Sequence, residues 1–176
     1  MTNTIVILAA FALLNGCSKP SAPARQQQPS QVAGACNQVT PNLGISAMMR
    51  GASVPASTLP TLGGGPMAAG VFDLASGEQF DGAPSWEDTH SVTVRVSNGT
   101  SGTQLDWAQL AGPNQATRSD WNAKVKTKAP ATLTFTCGRT GASTFSYASY
   151  NGELHLRMPD PSGTGMLDLV FVAHQP

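Results

Sequence analysis

The chain has 176 residues, which is enough for one domain, and its ten basic and ten acidic side chains cancel. Its 18 glycines, 13 prolines and many small polar residues exclude a helical bundle or a coiled coil. Zero net charge excludes bulk electrostatic binding of nucleic acid, which needs clustered positive charge.

Residues 5–14 form an unbroken apolar run that is too short to span a bilayer core, which needs about 20 residues, but has the length of a signal-peptide core. The run ends in Asn15-Gly16-Cys17, which resembles the lipobox of bacterial lipoproteins. The resemblance implies that residues 1–16 are a signal peptide and that Cys17 receives lipid and becomes the N-terminus. Ser18 resembles the residue that sorts such proteins to the outer membrane of a Gram-negative cell envelope. A secreted protein with a free Cys17, or a different start codon, is the alternative.

Residues 17–35 contain three prolines, three consecutive glutamines and no aromatic side chain. Such a segment buries too little apolar surface to fold, so we expect a flexible linker behind the lipidated N-terminus. The root-mean-square span of a flexible chain of this length is about 24 Å. The folded domain, residues 36–176, would therefore work close to the membrane.

Two cysteines, Cys36 and Cys137, remain if Cys17 is lipidated. An even number of cysteines in an exported chain predicts a disulfide bond between them. Closing a loop of about 100 residues would stabilise the fold by about 4–5 kcal/mol in the chain-entropy model. Two buried free thiols are the alternative, and the spacing fits neither a zinc site nor a redox motif.

Apolar and polar residues alternate in several segments of the domain, which predicts strands. One strand covers residues 91–96 with its three valines on one face, and after a turn at residues 97–102 the apolar face continues through Leu105 and Trp107. A second alternating segment covers residues 131–137 and directs Cys137 toward the core.

The clearest predicted turn is Asn151-Gly152, because this pair favours a two-residue type I′ hairpin loop. It would pair Tyr150 with Glu153 and continue outward, so that Tyr147 faces Leu156. Residues 166–173 read as a buried closing strand, and residues 45–50 as a helical turn within long loops. Several short strands separated by turns predict an all-β domain, a small antiparallel β-sandwich or barrel.

Motifs for catalysis or metal binding are missing from the sequence. His90, His155 and His174 lie in different segments without metal-ligand spacing, which is typical of scattered surface histidines. A nucleophile elbow and a phosphate-binding loop are also absent. The sequence therefore predicts no catalytic residue, no metal and no cofactor, and indicates a non-enzymatic binding or structural protein.

One segment of the chain has a regular pattern of positive charge. Lys124, Lys126 and Lys128 alternate, so on a strand all three would project from one face and could meet anionic lipid or an acidic envelope protein. The alternative is an edge strand whose lysines prevent unwanted pairing.

Residues 89–145 look like aegerolysins, on the alternating strand that ends in Asn98 and on the Cys-Gly-Arg sequence that begins at Cys137. Aegerolysins are small β-sandwich proteins that bind membrane lipids. The loop with Ser162-Gly163 is similar to a Ser-Gly loop of lysozyme-inhibitor lipoproteins. The resemblances imply two alternative functions, binding of membrane lipid and inhibition of a lytic enzyme.

Overall fold

The structure, a computed structural model, describes residues 36–82, 87–161 and 165–175. The predicted signal peptide, Cys17 and the linker lie outside these residues, as does Ser162-Gly163. The described part contains two 3₁₀ turns, Ala56–Thr58 and Pro113–Gln115. It contains nine strands: β1 (Ala47–Gly51), β2 (Gly70–Phe80), β3 (Glu87–Gly99), β4 (Gly102–Ala111), β5 (Thr117–Lys126), β6 (Ala131–Cys137), β7 (Ala142–Tyr150), β8 (Glu153–Pro159) and β9 (Met166–Ala173).

Eight of the nine strands close into a barrel. Strands β2 to β9 pair antiparallel in chain order, and β9 pairs back with β2 from Phe72 opposite Ala173 to Phe80 opposite Met166. Inward side chains from all eight strands form one apolar core, which is what closing a half-apolar sheet on itself buries. The predicted all-β antiparallel fold is confirmed, and the β2–β9 pairing makes it a barrel.

Strand β1 is a wedge at one end of this barrel. It pairs parallel with residues 77–79 of β2 and antiparallel with residues 87–90 of β3, whereas residues 70–73 of β2 pair directly with residues 93–96 of β3. We call the end that contains β1 the mouth and the opposite end the far end. The predicted helical turn at residues 45–50 is wrong, because Ala47 and Met49 point inward while Met48 is exposed, which is the period of a strand.

The far end is filled by the loop before β2. Met67 is 4% exposed and belongs to the core, and the side-chain amide of Asn98 donates to its carbonyl at 3.0 Å. The backbone N–H of Gly64 donates to the Tyr147 carbonyl at 2.8 Å, and the Tyr147 hydroxyl bonds to the Gly65 carbonyl. The loop therefore satisfies backbone groups of β7 that β6 does not reach.

Residues 36–46 form a strap across the outside of β5, β4, β3 and β2. Asn37 Nδ2 donates to the Trp107 carbonyl at 3.1 Å, and Asn42 bonds to Thr93 Oγ1 at 3.0 Å and to Asp73 Oδ2 at 2.9 Å. Asp73 is 1% exposed, and it also accepts from Thr93 Oγ1 and contacts His174 Nδ1 at 2.7 Å. These bonds compensate the cost of burying a carboxylate under the strap.

The predicted disulfide bond between Cys36 and Cys137 is present and fastens the strap to β6, with the two Cα atoms 5.5 Å apart. The predicted orientation of Cys137 is wrong, however. A β-bulge places Cys137 opposite Asn122 and Phe135 opposite Ala123, so the extra residue turns Cys137 from the core face to the outer face. There Asn122 Nδ2 donates to the Cys36 carbonyl at 3.0 Å.

The predicted hairpin at Asn151-Gly152 is confirmed. Both residues have positive φ, 52° and 79°, as a type I′ turn requires. Pairing runs from Tyr150 opposite Glu153 to Ser146 opposite Arg157, in the predicted register. The strands predicted at residues 131–137 and 166–173 have those bounds in the structure.

Candidate ligand-binding site

The barrel mouth holds a cavity of about 250 Å³. Its apolar lining comes from inward-facing side chains: Met49 of β1, Val92 of β3, Trp107 of β4, Met158 of β8, and Leu167 and Leu169 of β9. Polar groups line its outer part: His90, Gln109, Ser119, Arg139 and Asp160. An apolar concavity with a few convergent polar groups is the usual form of a small-molecule site.

Trp107, which lines this cavity, belongs to a cluster of packed aromatic rings. The rings of Trp107 and Trp121 lie 5.1 Å apart at an interplanar angle of 13°, and Phe171 and Phe135 meet them edge-on at 5.8 and 5.3 Å. Such contacts contribute about 1 kcal/mol each beyond the area they bury. Trp107 is therefore held rigidly where it lines the cavity.

A chain of hydrogen bonds runs along the mouth from Trp107 to Asp88. Trp107 Nε1 donates to Gln109 Oε1 at 3.2 Å, Gln109 Nε2 lies 2.7 Å from His90 Nδ1, and His90 Nε2 lies 3.2 Å from Asp88 Oδ2. An indole N–H can only donate, so Gln109 turns its oxygen to Trp107 and its NH₂ to His90. His90 must then accept at Nδ1 and carry its single proton on Nε2. The network assigns a neutral imidazole.

Burial of the His90 side chain also favours its neutral form. The His90 side chain is 13% exposed, and this burial lowers the pKa of His90 below its ordinary value of 6.5, although the neighbouring Asp88 raises it. The prediction that His90 is a surface histidine is wrong. The alternation of strand β3 could have shown this. His90 lies an even number of residues from Val92, Val94 and Val96, so it points inward as they do.

Arg139 reaches the mouth from the turn between β6 and β7. Gly138 positions it, since Gly138 has a φ of +76° and an added Cβ would lie 2.1 Å from the Asp120 carbonyl oxygen. The guanidinium carbon of Arg139 lies 5.3 Å from the ring centre of Trp121 and 5.7 Å from that of Phe135. These distances are typical of cation–π contacts.

Arg139 also borders a second cavity, a side cleft of about 430 Å³. The cleft lies where β7 and β8 separate, because their pairing stops at Ser146 and Arg157. It shares Arg139, Met158, Asp160 and Pro161 with the mouth cavity. Arg139 therefore stands between two cavities.

The lysines of the predicted contact surface lie away from the mouth. Lys124 and Lys126 are exposed on the outer face of β5, toward the far end, but Lys128 lies beyond the strand, which ends at Lys126. The edge-strand alternative is wrong, because β5 pairs with both β4 and β6. Lys124 and Lys126 thus form an outward cationic surface on a strand that is paired on both sides, with Lys128 in the following turn.

In the described residues, no group of three or more His, Cys, Asp or Glu side chains could hold a metal ion. The described part of the chain also has no helix that is long and apolar enough to cross a membrane.

The neutral state of His90 predicts a dependence of stability on pH. As the pH falls from 7.5 to 5.5, the unfolded chain protonates His90 near 6.5 while the folded chain resists protonation, so this residue lowers the free energy of unfolding in acid. Urea unfolding of the wild type and of His90→Gln at both pH values checks this. We expect the wild type to lose stability relative to His90→Gln as the pH falls. A constant or growing advantage of the wild type would contradict it.

Comparisons of the chain with protein-family models, with characterised proteins and with solved structures find no match. The geometry and chemistry of the described residues therefore carry the functional assignment.

Proposed function

We propose that this protein is a lipid-anchored, non-enzymatic binding protein of the cell envelope, and that its barrel mouth holds a small ligand with an apolar body. The observation that carries the proposal is the cavity lined by Trp107, two methionines and two leucines. Drug-sized ligands occupy about 300–1,000 Å³. A cavity of about 250 Å³ therefore fits a smaller molecule or a short chain.

The polar groups of the mouth support binding rather than catalysis. Both ring nitrogens of His90 are engaged, one by Gln109 and one by Asp88. A histidine in this arrangement is not free to activate a nucleophile. Its bonds instead fix the walls of the cavity.

The anchor in this proposal is Cys17, for which the lipobox-like sequence is the support. The linker of residues 17–35 would then join the lipid to the domain at the outer membrane. The Cys36–Cys137 disulfide bond fits an exported protein, since disulfides persist in oxidising compartments.

A second candidate function is attachment to an anionic lipid surface through Lys124, Lys126 and Lys128. All three lysines are exposed, and Lys124 and Lys126 share the outer face of β5, which favours it. This function agrees with the membrane-lipid binding that the aegerolysin resemblance implies, and it is compatible with a ligand in the mouth.

The cavity is tested with n-octanol as a probe. The assay uses the full chain with Cys17→Ser, so that no detergent is needed that would occupy the cavity. At about 0.5 kcal/mol per heavy atom, we expect a dissociation constant of about 1 mM or tighter, measured by ligand-observed NMR. Leu167→Trp, which fills the mouth, should weaken binding about tenfold. The matched control is Val170→Trp on the outer face of the same strand, which should bind normally. Equal binding by both variants would contradict the site.

The anchor is tested by Cys17→Ser in the producing cell. Without the thiol that accepts lipid, the protein should leave the membrane fraction and keep its signal peptide. Cell fractionation and intact-mass measurement report both effects. The double variant Cys36→Ser/Cys137→Ser is the control and should stay with the membrane. Membrane retention of Cys17→Ser at the mature mass would show that Cys17 is not the anchor.

The lysine surface is tested by changing Lys124, Lys126 and Lys128 together to Gln. Each lysine near an anionic surface contributes about 1 kcal/mol, so binding to vesicles of phosphatidylglycerol and phosphatidylcholine should weaken about a hundredfold. The loss should shrink with salt, because the Debye length falls from about 10 Å at 0.1 M to about 3 Å at 1 M. Vesicles of phosphatidylcholine alone are the control. Unchanged binding at low salt would rule the surface out.

A further inference from the structure

We propose that the ligand of the mouth is an amphipathic anion whose head group is bound by Arg139 and whose apolar body fills the cavity. This inference rests on the proposed function, because it needs a ligand in the mouth. It adds the charge of that ligand and the residue that recognises it.

The state of the Arg139 side chain carries the inference. A guanidinium has five N–H donors. The guanidinium group of Arg139 lies over the rings of Trp121 and Phe135. Among the residues that the structure describes, it forms no hydrogen bond and no ion pair within 4 Å. Burial lowers the pKa of Arg139, while the charge of Asp160 raises it. The cation is thus partly removed from water without an acceptor for its protons, which is costly until an acceptor arrives.

The acids of the mouth are in a different state. Asp160 Oδ2 accepts from Gln79 Nε2, and Asp88 binds His90 at 3.2 Å and the backbone N–H of Thr89 at 2.8 Å. These carboxylates have donors in the protein, whereas the N–H groups of Arg139 have no acceptor among the described residues. Among the charged groups described above, Arg139 is therefore the one with unused hydrogen-bonding groups. Because these groups are donors, they favour an anionic ligand over a cationic one.

The surroundings of Arg139 give this anion its shape. The guanidinium borders both the mouth cavity and the side cleft, next to the apolar side chains of Met158 and Leu167. Ser119 lines the same cavity, and a hydroxyl group there can add a second donor. A carboxylate at Arg139 would accept two parallel N–H bonds, while an alkyl chain attached to it would lie along the methionines and leucines.

The position of Arg139 is fixed before a ligand binds. Cys137, two residues earlier, is held by the disulfide bond to the strap, and Gly138 lies against the backbone at Asp120. Ring contacts hold the guanidinium itself. A side chain held in this way loses little rotational freedom on binding, which favours affinity.

The experiment compares n-octanoate with n-octanol and n-octylammonium, using the full chain with Cys17→Ser at pH 7.5. We expect octanoate to bind at least tenfold more tightly than octanol and octylammonium to bind most weakly. Arg139→Gln should remove the preference for octanoate while octanol binding is kept, and Arg139→Lys should keep part of it. Arg50→Gln, which removes an exposed arginine paired with Glu78 on the outer face, should change nothing.

The outcomes separate the inference from the proposed function. If none of the three probes binds the wild type, the proposed function fails. If all three bind equally, or if Arg139→Gln keeps the preference for octanoate, the ligand site stands and the assignment of Arg139 is overturned. The comparison of probes on the wild type decides the sign of the charge even if Arg139→Gln does not fold.

Discussion

The cavity depends on the insertion of β1 between β2 and β3. The diameter of a barrel grows with the number of its strands, and β1 adds a strand to the wall at the mouth only. The barrel is therefore wider at the mouth, whereas at the far end β2 and β3 pair directly and Met67 fills the interior. The same five residues that widen the wall also contribute Met49 to the cavity lining.

The strap on the outside of the barrel supports the mouth. The strap binds backbone and side-chain groups of four strands and is fastened by the disulfide bond to the last residue of β6. The turn that follows carries Arg139. Structure outside the barrel thus sets the position of a cation inside its opening, which is how a supporting layer usually keeps a binding group in place.

The sequence predicts the parts of this fold in which local signals agree. At Asn151-Gly152 the turn chemistry and the alternation of both strands specify one register, and the structure has it. Cys137 shows the limit, because one bulge residue reverses the face and alternation alone does not reveal a bulge. Strand β1 is missed because its five residues are too short to show a period and its two partners are distant in the chain.

About half of the candidate site could have been predicted from the sequence. His90, Gln109 and Ser119 each continue the apolar face of a strand, so polar residues at that phase mark a place where the interior meets solvent. Arg139 was out of reach, because its position depends on a glycine conformation, a disulfide bond and the rings of another strand. Only the folded chain brings these together.

Closure of the barrel by β9 has a consequence for how the protein is made. Of the described strands, the one that completes the ring comes last along the chain, and its partners in β2 lie about 90–100 residues earlier. Pairing over such a separation folds slowly. Until it forms, β2 and β8 each present a row of free backbone groups that can pair with another chain. The nascent chain is therefore most prone to aggregation before β9 is available, and loss of β9 makes that vulnerable state permanent.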